Sequence, residues 1–115
     1  MSEPFAREWR FSVEDMIRFA EKALSYTKGL TRETFVADPV VYDATLRNLE
    51  LIGEAATRIA EDVRSACKAI PWRQIIATRN RLIHGYLGID DDTIWSIIQS
   101  DLPPLLEQLR LLKAT

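Results

Sequence analysis

Apolar residues recur every three or four positions along each long segment of the chain, and no segment alternates apolar and polar residues as a strand does. The first such stripe predicts a helix near 12–28. Ser12 and Asp15 resemble a capping box at its start, and Gly29 provides a stop at its end. The residues expected on its inward face are Val13, Met16, Ile17, Ala20, Leu24 and Thr27.

A second, longer helix is predicted from about residue 39 to the mid-60s, after a connection at 29–39. Asp38 is a suitable N-cap, and Pro39 suits the first helical position, where its missing N–H costs nothing. Small side chains on this helix predict close packing against a neighbouring helix; they are Gly53, Ala55, Ala56 and Ala60. Its apolar stripe consists of Val41, Leu49, Ile52, Ala56, Ile59 and Val63, widened by Ala44, Leu51 and Ala55.

Two further helices complete the pattern. Pro71 opens the third helix, and Gly85 or Gly88 is expected to end it. The tract IDDDT supplies N-cap candidates for a fourth helix from about residue 92, which the prolines at 103–104 are expected to kink or restart. Four amphipathic helices with mostly short connections predict an all-α fold, an antiparallel four-helix bundle with a kinked C-terminal helix.

The composition fits one globular domain. The chain has 115 residues, of which 47% are hydrophobic and 28% charged, so residues 1–115 are interpreted as a single helical domain with a modest core. Charged residues near the start leave no apolar run for a secretory signal, and no apolar segment approaches membrane-spanning length. A cytoplasmic location is therefore expected. The single Cys67 and the single histidine cannot form a structural zinc site, and neither a metal nor a cofactor is expected.

The net charge is −2, but the basic residues are concentrated in one stretch. Residues 58–86 carry six basic side chains and two acidic ones, Glu61 and Asp62, so the net charge of this stretch is +4. Residues 1–57 and residues 87–115 each have a net charge of −3. A cationic field of this kind attracts phosphate-bearing partners, although ordinary solvated helix faces give the same pattern.

The sequence RNRLIHGY at 79–86 lies inside this stretch and contains the single histidine. On a helical wheel, Arg79 and Tyr86 fall within the apolar stripe. Asn80 and His84, four residues apart, lie at the edge of the stripe and beyond it. A guanidinium on the inner face of a helix needs a partner or must open onto a cavity or an interface. The motif is therefore a candidate functional site.

The spacing of the motif raises a geometric difficulty. Arg79 and His84 are five residues apart and so about 140° apart on an ideal helix, which does not point them at one small ligand. Either the helix distorts or ends near His84, or a second subunit completes the site. A symmetric homodimer that packs two motif helices near its two-fold axis would bring two arginines and two histidines into one cleft.

Two imidazoles and two guanidiniums are sufficient for cleaving RNA without a metal. The reaction needs a base for the 2′-hydroxyl, an acid for the departing 5′-oxygen and positive charge for the phosphorane. Histidine changes its protonation near neutral pH, and the guanidinium fork matches phosphate oxygens. DNA lacks the attacking hydroxyl, so RNA is the expected substrate class.

Each residue also has a purely structural interpretation. Arg79 could form an ion pair with Glu50 or Glu54 on the second helix. These glutamates could instead form a helix-surface ladder with Arg47 and Arg58. The histidine could be a surface group favoured by the helix dipole, and the tyrosine a core aromatic.

The motif and its surroundings resemble a known family. RNRLIHGY matches the Arg-x4-His-x-Tyr signature of HepT toxins, which are members of the HEPN superfamily. Three longer blocks at 46–56, 70–90 and 94–109 are similar to the corresponding blocks of that family; they read LRNLELIGEAA, IPWRQIIATRNRLIHGYLGID and IWSIIQSDLPPLLEQL. The resemblance therefore covers most of the chain.

The resemblance implies an all-helical homodimer that acts as a metal-independent endoribonuclease toxin. Arg79 and His84 are then its catalytic pair. Asn80 fits the polar position that often follows the family's arginine, and Arg81 and Arg73 are candidates for further contacts with RNA.

The same resemblance implies a partner protein. HepT toxins are paired with a nucleotidyltransferase antitoxin, MntA, which transfers AMP from ATP to the motif tyrosine, here Tyr86. The added nucleotide would place bulk and negative charge where an RNA phosphate must bind. The leading hypothesis is thus the ribonuclease toxin of a toxin–antitoxin pair that is neutralised by AMPylation.

Two other classes of function stay open at this point. A non-catalytic helical module that binds nucleotides or serves a nucleotidyltransferase as its partner would use the same arginine and tyrosine without cutting RNA. The acidic overall charge favours it slightly. A structural dimerisation protein would carry the polar residues incidentally. Cleavage of RNA to 2′,3′-cyclic phosphate ends in the presence of a chelator discriminates between these classes.

Overall fold

Helices account for the regular secondary structure in the computed structural model, which describes residues 3–85 and 88–115. The helices are α1 (Glu3–Thr27), α2 (Arg32–Ala37), α3 (Pro39–Thr57), α4 (Glu61–Ala66), α5 (Trp72–His84), α6 (Asp91–Ser96) and α7 (Leu102–Lys113), with a π-helical turn at Ile97–Asp101. The all-α prediction is therefore confirmed for these residues.

The long helices share one apolar core. α3 packs against both α1 and α5, and α1 also packs against α7, an arrangement compatible with a helical bundle. The largest fully buried apolar side chains are those of Phe35, Met16, Ile59, Ile70, Ile94, Ile98 and Leu109. Within the described ranges, no helix combines the length and the apolar character needed to span a membrane. α5, which carries the motif, is held in place through α3.

α1 begins earlier than the pattern predicts. Ser12 lies buried inside the helix, so the predicted capping box with Asp15 is wrong. The preceding residues continue the helix, and Pro4 is tolerated in its first turn because N–H groups there have no intrahelical acceptor. The predicted inward stripe is confirmed, and its buried members are Val13, Met16, Ala20 and Thr27.

The predicted connection between the first two long helices contains a short helix, α2. The hydroxyl of Thr31 accepts from the Thr34 N–H at 3.1 Å, and the Thr31 N–H donates to the Thr34 hydroxyl at 2.9 Å. Phe35 is buried, with its ring centroid 5.2 Å from that of Tyr42 and 5.3 Å from that of Trp95. The prediction of a plain connection is wrong, because a threonine pair is an unusual capping box and six residues are too few to reveal a helical period.

α3 begins as predicted but ends early. Asp38 accepts from two backbone N–H groups at 3.2 Å each, and the proline after it opens the helix. The helix ends at Thr57 rather than in the mid-60s, since Ala60 has an extended backbone and α4 follows it. Neither glycine nor proline marks this break. The turn brings the side chain of Ile59 into the core, and this burial overrides the local helical preference.

The boundaries of the last helices agree with the predictions. α5 follows Pro71 and ends at Gly85, which has a φ of 66° and donates its N–H to the carbonyl oxygen four residues earlier. Asp90 caps α6 by accepting from the Thr93 N–H at 2.8 Å. The chain then passes through the π-helical turn and restarts as α7 at Leu102, with the proline pair in the first turn. The predicted restart is confirmed, whereas the π-helical turn is a new feature.

Candidate functional site

Gly53 allows α3 and α5 to approach closely beside the motif arginine. A Cβ atom placed on Gly53 would lie 2.2 Å from Cβ of Arg79 and 3.1 Å from the carbonyl oxygen of Ile75. Neither atom is the mobile end of a side chain, so glycine is required at this distance. The predicted close packing of helices is confirmed here. It sets the position of Cβ of Arg79 relative to α3.

Glu54, the next residue along α3, forms an ion pair with Arg79. Nε and Nη2 of Arg79 both donate to Oε1 of Glu54, at 2.9 and 2.6 Å. The two side chains are 25% and 38% exposed, so the pair sits at the edge of the core. Of the two glutamates considered, Glu54 is thus the partner of Arg79, whereas Glu50 pairs with Arg47 at 3.0 Å.

Asn80 connects the arginine with the histidine side of α5. Nη1 of Arg79 donates to Oδ1 of Asn80 at 2.8 Å. Asn80 lies only about 40° from His84 around an ideal helix, so the guanidinium is hydrogen-bonded to a residue on the histidine side of α5. A guanidinium has five N–H donors, so it can hold Glu54 and Asn80 and still donate to a phosphate.

His84 is the last residue of α5 and is exposed. The predicted end of the helix near His84 is confirmed, because the next residue, Gly85, has a positive φ that ends the helical conformation. Ile83, the neighbour of His84, is 44% exposed. Tyr86, the predicted site of modification, lies outside the described residues.

The two accessory arginines lie on different surfaces. Nη2 of Arg81 donates to the carbonyl oxygen of Gly88 at 2.9 Å, which ties α5 to the segment leading into α6. Arg73 is exposed and lines a groove that also includes Asn80. Arg73 is therefore placed beside the motif, whereas Arg81 makes a structural contact.

Two cations that the sequence analysis does not single out lie close to the motif. Arg64 and Lys68 line the same groove as Arg73. The signal that could have identified them is the cationic balance of residues 58–86, to which both contribute.

A carboxylate, a guanidinium and an amide are in contact here, and the same helix ends in an imidazole. Among the residues that the structure describes, no three His, Cys, Asp or Glu side chains are grouped so that they could hold a metal ion. Guanidinium and amide N–H groups can bind phosphate oxygens, and an imidazole can accept or donate a proton. The chemistry that this set serves most directly is the transfer of a proton beside a bound phosphate.

Comparisons with known proteins place this chain in a family. The family described as "Ribonuclease HepT-like" matches residues 16–112. A protein of Caldanaerobacter subterraneus subsp. tengcongensis named "Putative RNase" is 35% identical over 98 residues, which cover 85% of this chain and 88% of that protein. "Probable ribonuclease HepT" of Thermococcus cleftensis is 35% identical over 101 residues, which cover 85% of this chain and 92% of that protein.

A further relative, named "Putative RNase" and found in Methanocaldococcus jannaschii, is 30% identical over 105 residues, which cover 91% of this chain and 96% of that protein. No solved structure matches the chain. The family match includes all of α3 and α5 and the entire motif at 79–86. The resemblance to HepT toxins is confirmed, and the chain belongs to the HepT-like ribonuclease family.

Proposed function

We propose that this protein is a metal-independent endoribonuclease, the toxin of a toxin–antitoxin pair, with an active site completed across a homodimer. The observation that carries the proposal is the Arg79 guanidinium, which donates to both Glu54 and Asn80 and lies on the same helix as His84. Membership of the HepT-like family supports the proposal, as do relatives named as ribonucleases.

The proposed reaction is an attack within the RNA strand. One imidazole removes the proton of the 2′-hydroxyl, whose oxygen then forms a bond with the adjacent phosphorus. The bond from phosphorus to the 5′-oxygen breaks, and a second imidazole protonates that oxygen. The products are a 2′,3′-cyclic phosphate and a 5′-hydroxyl. Arg79 donates to the non-bridging oxygens and stabilises the charge of the phosphorane.

The homodimer supplies the second imidazole. Each chain has one histidine, and the two proton transfers use two groups. Ile83 beside His84 is 44% exposed, so covering the rest of its apolar surface would stabilise a contact by about 1 kcal/mol, less than half of the value for a fully exposed side chain. A two-fold axis beside α5 would bring both copies of Arg79 and His84 into one cleft.

An RNA cleavage assay in the presence of a chelator tests this function. Wild-type protein should produce 2′,3′-cyclic phosphate ends, and His84→Ala and Arg79→Ala should each lower the rate by about a hundredfold or more. Gln74→Ala, at an exposed position on the same helix, is the control and should cleave at the wild-type rate. Circular dichroism verifies that the variants keep their helices. Undiminished cleavage by His84→Ala would exclude this site.

Control by AMPylation is the second part of the proposal. The partner nucleotidyltransferase would join the Tyr86 hydroxyl oxygen to the α-phosphorus of ATP and release pyrophosphate. Tyr86 lies two residues after His84 in the sequence, so the added negative charge would oppose the binding of an RNA phosphate at the site. The resemblance of the motif to that of HepT toxins supports this part.

Intact mass spectrometry tests the modification. The partner enzyme with ATP should raise the mass of the wild-type chain by AMP units. Tyr86→Phe should abolish the gain, whereas Tyr26→Phe, at an exposed tyrosine on α1, should not. An unchanged gain with Tyr86→Phe would exclude this residue. A wild-type protein that accepts AMP but does not cleave RNA would favour the non-catalytic partner module instead.

A further inference from the structure

A cationic groove lies between α4 and α5, next to the candidate site. Its volume is about 740 Å³, and the cations that line it are Arg64, Lys68 and Arg73. Glu61 also lines it, with Oε1 3.6 Å from Nη2 of Arg64. Three cations against this carboxylate leave the α4–α5 groove positively charged. Asn80, which accepts a hydrogen bond from Arg79, is another lining residue, so the groove and the site share a side chain.

The α5 side of the groove leads to the histidine. Arg73, Asn80 and His84 are separated by seven and four residues within one continuous helix. These spacings place them within about 40° of one another around the helix and over about 16 Å along its axis. All three residues are exposed. A linear ligand bound along this face would contact the groove and the imidazole together.

The lining favours a chain of phosphates rather than stacked bases. Trp72 is buried, and its indole N–H donates to the carbonyl oxygen of Cys67 at 3.0 Å, so its ring forms a wall with little surface for stacking. Lys68 and Arg73 are exposed and can follow the backbone of a single strand. Contacts with phosphates fix the register of a strand without selecting its sequence.

We infer that the RNA backbone next to the scissile phosphate binds in the α4–α5 groove, where Lys68 and Arg73 contact its phosphates and Arg64 adds positive charge. This inference rests on the proposed ribonuclease function and extends it to the substrate strand. The groove supplies affinity and alignment, and the motif supplies the chemistry.

Binding of an RNA that cannot be cleaved tests the groove directly. The probe is a single-stranded RNA of mixed sequence with 2′-O-methyl sugars, which lack the attacking hydroxyl, and fluorescence anisotropy gives its Kd at several salt concentrations. Lys68→Ala and Arg73→Ala should each weaken binding about fivefold and reduce the slope of log Kd against log salt by about 0.7. Lys22→Ala, at an exposed lysine on α1, is the matched control and should change neither quantity.

The outcomes separate this inference from the function on which it rests. If the wild type binds the probe through Lys68 and Arg73 but cuts no RNA, the groove is supported and the ribonuclease proposal alone fails. If the wild type cuts RNA while both variants keep the wild-type Kd and slope, the groove assignment is overturned. Variants that keep the RNA Kd but lose binding to the nucleotidyltransferase partner would show that the groove docks a protein. That result would also overturn the assignment of the groove to RNA. Lys68→Arg keeps the charge and should retain the wild-type slope.

Discussion

At the scale of single residues, the candidate chemistry depends on how firmly Arg79 is held. A guanidinium stabilises a transition state best when its donors are oriented before the reaction begins. One oxygen of Glu54 accepts from two nitrogens of Arg79, and Asn80 accepts from the third. In the proposed reaction, Glu54 would therefore act through Arg79, as a positioning residue.

Glu54→Gln tests this positioning. The amide keeps an acceptor oxygen but loses the charge, and charge-assisted hydrogen bonds are about twice as strong as neutral ones. We expect kcat for RNA cleavage to fall about tenfold, equivalent to about 1.4 kcal/mol. The Kd for an uncleavable RNA should stay unchanged, which distinguishes positioning from a general loss of structure. Glu50→Gln is the matched control, because Glu50 lies one turn earlier on α3 and pairs with Arg47. Equal rates for the two variants would contradict a role for Glu54.

Tyr42 links α3 to α6 and provides a prediction about pH. Its hydroxyl donates to Oδ1 of Asp91 at 2.6 Å, and burial together with this hydrogen bond raises the pKa of Tyr42 to about 12. The raised pKa means that the folded state favours the neutral phenol. The stabilisation from this contact is therefore fully present below pH 10, the ordinary value, and is lost as the pH rises through about 12.

Phenolate absorbance after a rapid pH jump measures this titration before the protein can unfold. One tyrosine of the wild type should titrate near pH 12, and Tyr42→Phe should remove that component. Asp91→Asn should move it only part of the way back toward pH 10, because burial, the largest single cause of the shift, remains in this variant. A wild-type curve without a component above the ordinary tyrosine range would contradict the assignment.

At the scale of helices, Gly53 sets the distance between α3 and α5. Alanine is the better helix former by about 1 kcal/mol, but overpacking at a tight contact costs about 1–3 kcal/mol. Because the new Cβ would meet Cβ of Arg79 at 2.2 Å, we expect Gly53→Ala to lower the free energy of unfolding and to displace the Glu54–Arg79 contact. Urea unfolding measures the first effect and the rate of RNA cleavage the second. A more stable Gly53→Ala protein would contradict this account.

The source of the clash can be isolated with a second variant. Arg79→Ala keeps the Cβ atom 2.2 Å from the position of the new Cβ and removes only Cγ at 2.8 Å, so most of the cost of Gly53→Ala in free energy of unfolding should remain in that background. A cost that disappears with the guanidinium would show that the end of the side chain, rather than the helix spacing, is responsible.

Local signals predict the helices better than they predict the breaks between them. The starts and stops at Asp38 and Gly85 are correct because caps depend on neighbouring residues alone. The end of α3 at Thr57 and the π-helical turn at Ile97–Asp101 lack such signals. Both depend on which side chains the assembled core can bury, and the sequence of one segment does not contain that information.

The candidate site is predictable to the level of helix faces and no further. The wheel treats a side chain as a direction from the axis, and on that basis Arg79 and His84 diverge. It cannot show that a long guanidinium bends toward Asn80, or that Glu54 rather than Glu50 reaches it. Those outcomes follow from the distance between α3 and α5, which Gly53 sets only once the two helices have packed.

At the scale of the whole molecule, the position of α5 makes a shared site feasible. α5 packs on α3, and the side chains of Asn80, Ile83 and His84 are exposed on it. A second chain can therefore approach the motif without disturbing the core. Because each chain has one histidine, such an approach would also supply the second imidazole of the proposed reaction.

Mixed dimers test whether two chains build one cleft. If the cleft uses an imidazole from each chain, a dimer of one wild-type and one His84→Ala chain lacks a proton-transfer group and is inactive. After exchange at equal amounts, verified by native mass spectrometry, about half of the wild-type chains sit in mixed dimers, so cleavage per wild-type chain should fall to about half. Mixing with Gln74→Ala chains, which keep both groups, should give the sum of the separate rates. A rate per wild-type chain that His84→Ala leaves unchanged would place the complete site within one chain and contradict the composite cleft.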